Sequence, residues 1–237
     1  MVKLKKMKAY FKKVVLVSGG SDGLGKTIAG YLKSDCEVVI ISPTKEKLQK
    51  VANELNVDYL IGDVGNINSL KNVVKNSVLK YKRIDALINC AGLWLEGELD
   101  NNSYEDIRKL VEVNTLGTIY LCKAVIPQMK KQRSGLIINI ISQAGIYHKA
   151  ERTVYNASKW AITGFTKSLQ PEVAKYGISV SGIYPGKMKT EMFKKMGIEK
   201  DMNDALDPIE VARTVKFLLE TDTNVNFPEI GIKNINN

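Results

Sequence analysis

The sequence predicts an α/β fold, a doubly wound parallel sheet in a single domain. Three observations predict it. Short apolar, β-branched runs alternate along the chain with longer stretches of helical periodicity. The first apolar run passes through a glycine-rich turn directly into a helix. The length of 237 residues, without repeat, low-complexity tract or interdomain linker, suits one core large enough to hold a ligand cleft.

The elements follow in order. Residues 14–17 form an unbroken apolar run, the signature of a strand buried on both faces. The turn from Ser18 to Gly25 comes next, and Leu24, Ile28, Tyr31 and Leu32 then recur at helical spacing. Further strands are expected at 38–41, 59–61, 86–88, 136–141 and 178–184, with helices at 45–55, 67–81, 104–133, 155–176 and 208–220. In such a βαβ succession the crossovers are right-handed, and ligands bind at the carboxyl ends of the strands.

Composition narrows the function classes. The chain is 44% hydrophobic and 25% charged, an ordinary globular balance. Cys36, Cys90 and Cys122 are odd in number and show no CxxC spacing, so neither a disulfide framework nor a metal site is indicated. His148 is the single histidine, which argues against a histidine-based triad or metal cage and suits a loop near the cleft. No apolar span of 18 residues and no signal-peptide core is evident, so a soluble cytoplasmic protein with no membrane span is expected. The formal charge of +10 invites a nucleic-acid reading, but six lysines among residues 1–13 supply most of it, leaving about +4 for the body. Without aromatic–basic interleaving, no nucleic-acid partner is expected. Residues 1–13 are read as a basic extension and 14–237 as the ligand-binding domain.

Two patterns carry chemistry. The glycines of the first turn let backbone N–H groups approach a pyrophosphate at the positive end of a helix. Tyr155 and Lys159 stand four apart and share a helix face, with Ser142 thirteen residues upstream. A fixed cation beside a phenol lowers its pKa from near ~10, and such a pair exchanges a proton with an alcohol or carbonyl oxygen.

On these residues the chain resembles the short-chain dehydrogenase/reductase family over nearly its whole length. The matching motifs are Ser18, Gly19, Gly23 and Gly25; Asp63-Val64; Asn89-Cys90-Ala91-Gly92; Asn114; Ser142; Tyr155 and Lys159; and Pro185-Gly186 with Thr190, in the family's order. The resemblance implies a Rossmann-type sheet, a nicotinamide dinucleotide cofactor, NADP or NAD, and hydride exchange with a carbonyl or alcohol substrate. It makes Asn114, Ser142, Tyr155 and Lys159 the catalytic group. Tyr155 would transfer the proton, Lys159 would lower its pKa and hold the nicotinamide ribose, Ser142 would bond the substrate oxygen, and Asn114 would anchor a water. The alternative for Asn114 is a kink inside its helix. Gly19, Ser21, Asp22, Gly23, Leu24 and Gly25 would cradle the pyrophosphate. Asp63 and Val64 would hold the adenine, and Asn89, Ala91 and Gly92 would let the adenosine ribose and pyrophosphate approach the fourth strand. Pro185, Gly186, Met188 and Thr190 would line the carboxamide end. The segment 191–206 would be a substrate lid or a plain pair of surface helices. A homodimer or homotetramer is implied through the 104–133 and 155–176 helices.

The cofactor expectation turns on the end of the second strand. NAD users carry a carboxylate there that grips both adenosine ribose hydroxyls. This chain has Ser42-Pro43-Thr44-Lys45, whose Ser42, Thr44 and Lys45 suit a 2′-phosphate, so NADP is favoured over NAD. Cys90, Met188 and a carboxyl terminus without a glycine pair depart from the family pattern. The alternating residues 224–233 resemble the closing strand of members that reduce diverse carbonyl compounds. Gln143, Tyr147, His148, Trp94 and Met192 are expected at the substrate pocket. Two other readings are a cofactor-sensing protein without turnover and a sugar-nucleotide epimerase or dehydratase.

Overall fold

The structure, a computed structural model, describes residues 12–195, 197, 199, 201–222 and 224–236. Most of the lysine-rich extension therefore lies outside the described residues. Strand β1, Lys13–Ser18, starts one residue inside the expected extension. It is followed by α1 (Gly23–Leu32), β2 (Cys36–Ser42), α2 (Lys45–Leu55), β3 (Asp58–Ile61), α3 (Ile67–Tyr81) and β4 (Ala86–Asn89). Then come α4 (Tyr104–Val111), a π-helical turn (Glu112–Gly117), α5 (Thr118–Gln132), β5 (Gly135–Ile140), α6 (Thr153–Ala174), β6 (Ile178–Pro185), α7 (Met192–Lys195), α8 (Pro208–Glu220) and β7 (Glu229–Ile232).

The seven strands pair in the order β3-β2-β1-β4-β5-β6-β7, every neighbour parallel. The order reverses between β1 and β4, which opens a crevice at their carboxyl ends. Strand periodicity divides the core. Val15, Val17, Val38 and Ile40 face one way and pack with Ile28, Leu32, Val211 and Val215 of α1 and α8. Leu16, Val39 and Ile41 face the other way and pack with Leu121, Val125 and Met129 of α5 and Leu169 and Val173 of α6.

Two expectations change. The 104–133 helix is continuous in path, but at 112–117 its hydrogen bonds lengthen to the π pattern, with Asn114 inside the turn. The stretch Tyr104–Gln132 is also long and apolar enough, by length and composition, to cross a membrane, contrary to the expected absence of an apolar span. Its apolar residues Leu110, Leu121, Cys122, Val125 and Met129 are buried within the protein, which accounts for that composition.

Candidate active site

A cleft of about 1020 Å³ runs along the carboxyl ends of the strands. Its first wall is the glycine loop. Gly19 sits at φ +68°, and a Cβ there would stand 2.9 Å from the Ala91 backbone. A Cβ at Gly25 would meet the Gly19 carbonyl oxygen at 2.4 Å, so loop and helix touch backbone to backbone. Ser18 Oγ accepts from Cys90 N at 3.1 Å and Ala91 N at 3.2 Å, tying the loop to the end of β4. Asp22 caps α1 by accepting from Gly23 N, and no acidic residue occupies the first turn that follows. The positive end of α1 thus opens onto the cleft.

Beside this loop, Ser21 Oγ donates to Ser42 Oγ at 2.9 Å, and Lys47 Nζ lies 2.5 Å from Asp22 Oδ2. Ser42, Pro43 and Lys47 line the cleft, whereas Thr44 and Lys45 do not. Thr44 is the N-cap residue of α2 and Lys45 its first residue, so the cation that faces the cleft is two positions further on. Sequence reasoning missed Lys47; a count from the N-cap would have found it. Asp63 and Val64 lie on the wall, with Asp63 Oδ1 accepting from Gly65 N.

Asn89 does not line the cleft. It is the buried last residue of β4, where Nδ2 donates to Asn139 Oδ1 at 2.8 Å and to Cys122 Sγ at 3.2 Å. Asn139 in turn donates to Thr166 Oγ1 of α6 at 2.8 Å. This chain of satisfied buried groups pins β4, β5 and α6 together. Ala91 and Gly92 remain on the cleft wall.

At the other end, Ser142, Tyr155 and Lys159 share the cleft with Pro185, Gly186, Met188 and Thr190. Ser142 follows β5 at φ +137°, ψ 158°, a conformation nearly reserved for glycine. Its Oγ accepts from Ala144 N at 3.1 Å and is hydrogen-bonded to Tyr155. Tyr155 and Lys159 lie on the buried face of α6. Lys159 Nζ donates to Ile140 O at 3.5 Å and lies 5.7 Å from the Tyr155 ring centre.

The electrostatics correct the expectation for Tyr155. Burial pushes its phenol up to about 12, and the Ser142 hydrogen bond and the Arg152 charge pull it only partly back. Loss of hydration outweighs both, so the shift is opposite to the predicted lowering. Burial also brings the Lys159 ammonium down to about 8. The Cys90 thiol, raised to about 12 by the same burial, stays protonated.

Asn114 lies behind the cleft wall. Its Oδ1 accepts from Leu93 N at 2.7 Å, and its Nδ2 donates to Leu93 O at 3.0 Å and Ser158 Oγ at 3.2 Å. It therefore clasps the strand-end loop and the α6 turn between Tyr155 and Lys159. A Cβ at Gly92 would stand 3.4 Å from Asn114 Oδ1 and 3.8 Å from Lys159 Nζ, so both atoms border the same small space.

The substrate end contains residues both expected and missed. Gln143, Tyr147, His148, Trp94 and Met192 line it, joined by Glu96 and Arg152, which no sequence motif marks. The segment expected as a lid or helix pair begins with α7, and Leu206 returns to pair with Met188. Glu191, Met192 and Asp201 from this segment border the cleft. Among the described residues no cluster of three metal-ligating side chains occurs.

Comparison with known proteins agrees with this architecture. The family model described as short chain dehydrogenase matches residues 13–201. Carbonyl reductase family member 4 of Xenopus tropicalis is 36% identical over 218 residues, covering 88% of this chain and 92% of the relative. An uncharacterised oxidoreductase of Staphylococcus aureus is 32% identical over 225 residues, covering 93% and 96%. Among solved structures, the closed form of serine dehydrogenase complexed with NADP+ superposes with a TM-score of 0.88 at 27% identity, covering 94% of this chain and 96% of that one. With the matched model spanning most of the sequence and the strand order, glycine loop and cleft all in place, the chain belongs to the short-chain dehydrogenase family of oxidoreductases.

Proposed function

We propose that this protein is an NADP-preferring carbonyl reductase, with Tyr155 as the general acid toward a ketone or aldehyde oxygen and as base in the reverse direction. The observation that carries the reading is the grouping of Ser142, Tyr155 and Lys159 at one end of a cleft whose other end is the glycine loop.

The residues fit a nicotinamide dinucleotide. The open first turn of α1 and the backbone contact at Gly19 and Gly25 suit a pyrophosphate. Lys47, with Ser42 and Ser21, suits a 2′-phosphate, and no carboxylate ends β2. When bound, the cofactor supplies or receives the hydride. Tyr155, neutral near pH 7 because of burial, holds the proton that the substrate oxygen takes up in reduction. Ser142 donates its hydroxyl hydrogen to the same oxygen as negative charge develops there. Lys159 binds the ribose hydroxyls, and Asn114, bordering the same space beside Gly92, holds the water that restores the proton.

The likeness to a structure complexed with NADP+ and to a carbonyl reductase supports this assignment. The basic extension preceding β1 is assigned no part in it. Homodimer or homotetramer formation through α4 to α6 is part of the same proposal, and Tyr104 (93% exposed) and Trp160 (50% exposed) supply apolar surface there; light scattering would measure the mass. The deciding experiment is a panel of ketones, aldehydes and alcohols read by the absorbance of the reduced cofactor. Net cofactor oxidation with a carbonyl compound is expected. Cofactor binding without turnover on any compound would instead indicate a sensor.

A further inference from the structure

We propose that Glu96 and Arg152 are positioning residues that act through Trp94 to hold the phenol of Tyr155 and bias its ionisation. The proposal rests on the reading of Tyr155 as the acid–base group. Four side chains from two segments distant in sequence make the arrangement. The Trp94 and Tyr155 rings lie 4.3 Å apart, centre to centre, at an interplanar angle of 52°. The Arg152 guanidinium stands 4.8 Å from the Trp94 ring centre, within cation–π range. Glu96 closes the set: Trp94 Nε1 donates to Oε2 at 3.3 Å, and Arg152 Nε donates to Oε1 at 3.1 Å. One carboxylate thus orients both the indole and the guanidinium. Trp94 and Tyr155 are each less than one-tenth exposed, and the Glu96 and Arg152 side chains about one-fifth.

The geometry makes the bias specific. Arg152, the N-cap residue of α6, is three residues before Tyr155, and its charge favours the phenolate over the phenol. The groups facing Tyr155 are Arg152 from the cap of α6, Lys159 from α6, the Ser142 hydroxyl from the β5–α6 connection and Trp94 with Glu96 from the β4–α4 connection. Lys109, His148, Lys149 and Glu151 also border the cleft. Glu96 keeps Arg152 against the indole and at a fixed distance from the phenol; without it the guanidinium is free to turn to solvent.

The two tryptophans give a readout independent of turnover. In a Trp160→Phe background the emission of Trp94 titrates with Tyr155, because a phenolate at ring contact quenches indole emission. The Trp160→Phe/Tyr155→Phe protein is the control without this transition. Arg152→Gln is expected to raise the midpoint by about one pH unit, Arg152→Lys to restore most of it, and Glu96→Ala to lie above Glu96→Gln, because both delete the carboxylate charge and only glutamine keeps an acceptor for Arg152. Far-ultraviolet circular dichroism on each variant identifies any that fails to fold; Arg152→Lys and Glu96→Gln preserve volume and serve if the others do. A midpoint unmoved in folded Arg152→Gln, or equal in Glu96→Ala and Glu96→Gln, overturns the proposal, as does a shift in Arg152→Gln that Arg152→Lys fails to reverse. Retained turnover in Tyr155→Phe, by contrast, overturns only the catalytic reading.

Discussion

Lys47 Nζ lies 2.5 Å from Asp22 Oδ2, joining the first turn of α2 to the cap of α1 across the mouth of the cleft. Both side chains are more than one-third exposed, so the pair contributes little stability by itself. Its consequence is placement: a cation, paired with a carboxylate, stands at the part of the cleft proposed for a 2′-phosphate, beside the Ser21–Ser42 hydrogen bond. Lys47→Ala should lower catalytic efficiency with NADPH about tenfold, the equivalent of ~1.4 kcal/mol and the lower range for a charge-assisted bond. Efficiency with NADH should stay nearly constant. Steady-state kinetics with both cofactors decides it, and a wild-type preference for NADH would remove the basis of the NADP assignment.

Tyr155→Phe tests the proton route. The ring keeps its contact with Trp94 and loses only the hydroxyl bonded to Ser142, so fold and cofactor affinity should persist. Turnover should fall ~10²–10⁴-fold, the usual contribution of general acid–base catalysis. Near-normal turnover, with cofactor affinity checked by fluorescence, would show that the proton travels by another path.

How far the sequence carried these conclusions varies by residue. Tyr155 and Lys159 were legible because an i, i+4 spacing is a local property of any helix. The glycine loop was legible because backbone contact such as that between Gly25 and the Gly19 carbonyl excludes every other residue type. The π turn around Asn114 was not, because its stability comes from tertiary bonds to Leu93 and Ser158. Asn89 resembled a cofactor residue in sequence, yet its partners Asn139 and Thr166 lie far along the chain. The raised phenol of Tyr155 was illegible for a similar reason: spacing reveals the neighbouring cation, whereas burial depends on the whole fold.

Lys159 gives a prediction in which stability and function oppose each other. Its folded pKa of about 8 lies below the ordinary 10.5, so the unfolded chain binds the extra proton between those values. Below about pH 8 the buried ammonium destabilises the fold; from there to about 10.5 this burden is relieved as pH rises. Lys159→Met should therefore raise Tm at pH 7, with an upper bound of roughly 3 kcal/mol, and the gain should shrink toward pH 10. Activity should drop at the same time as ribose binding weakens and the pH optimum moves upward. Calorimetry at pH 7 and 10 provides the measurement, and a lower Tm at pH 7 would contradict the sign.

Ser142 separates conformation from chemistry. Its backbone, at φ +137° and ψ 158°, occupies a region that costs of order 1–3 kcal/mol for a residue with a Cβ. Its hydroxyl faces Tyr155 and caps Ala144 N. Ser142→Ala and Ser142→Gly both delete the hydroxyl, but only glycine relieves the strain. Both variants should lose ~10²–10³-fold in turnover, the effect of removing one donor to a developing oxyanion. Ser142→Gly should unfold at a higher temperature than Ser142→Ala, because the native conformation suits it and the lost bonds are the same in both. In the free enzyme, both should also raise the Tyr155 pKa further, since the hydrogen bond that lowers it is gone. Equal unfolding temperatures would mean that the backbone relaxes once the hydroxyl is removed, and unequal activities would assign Ser142 a backbone role in addition to its hydroxyl.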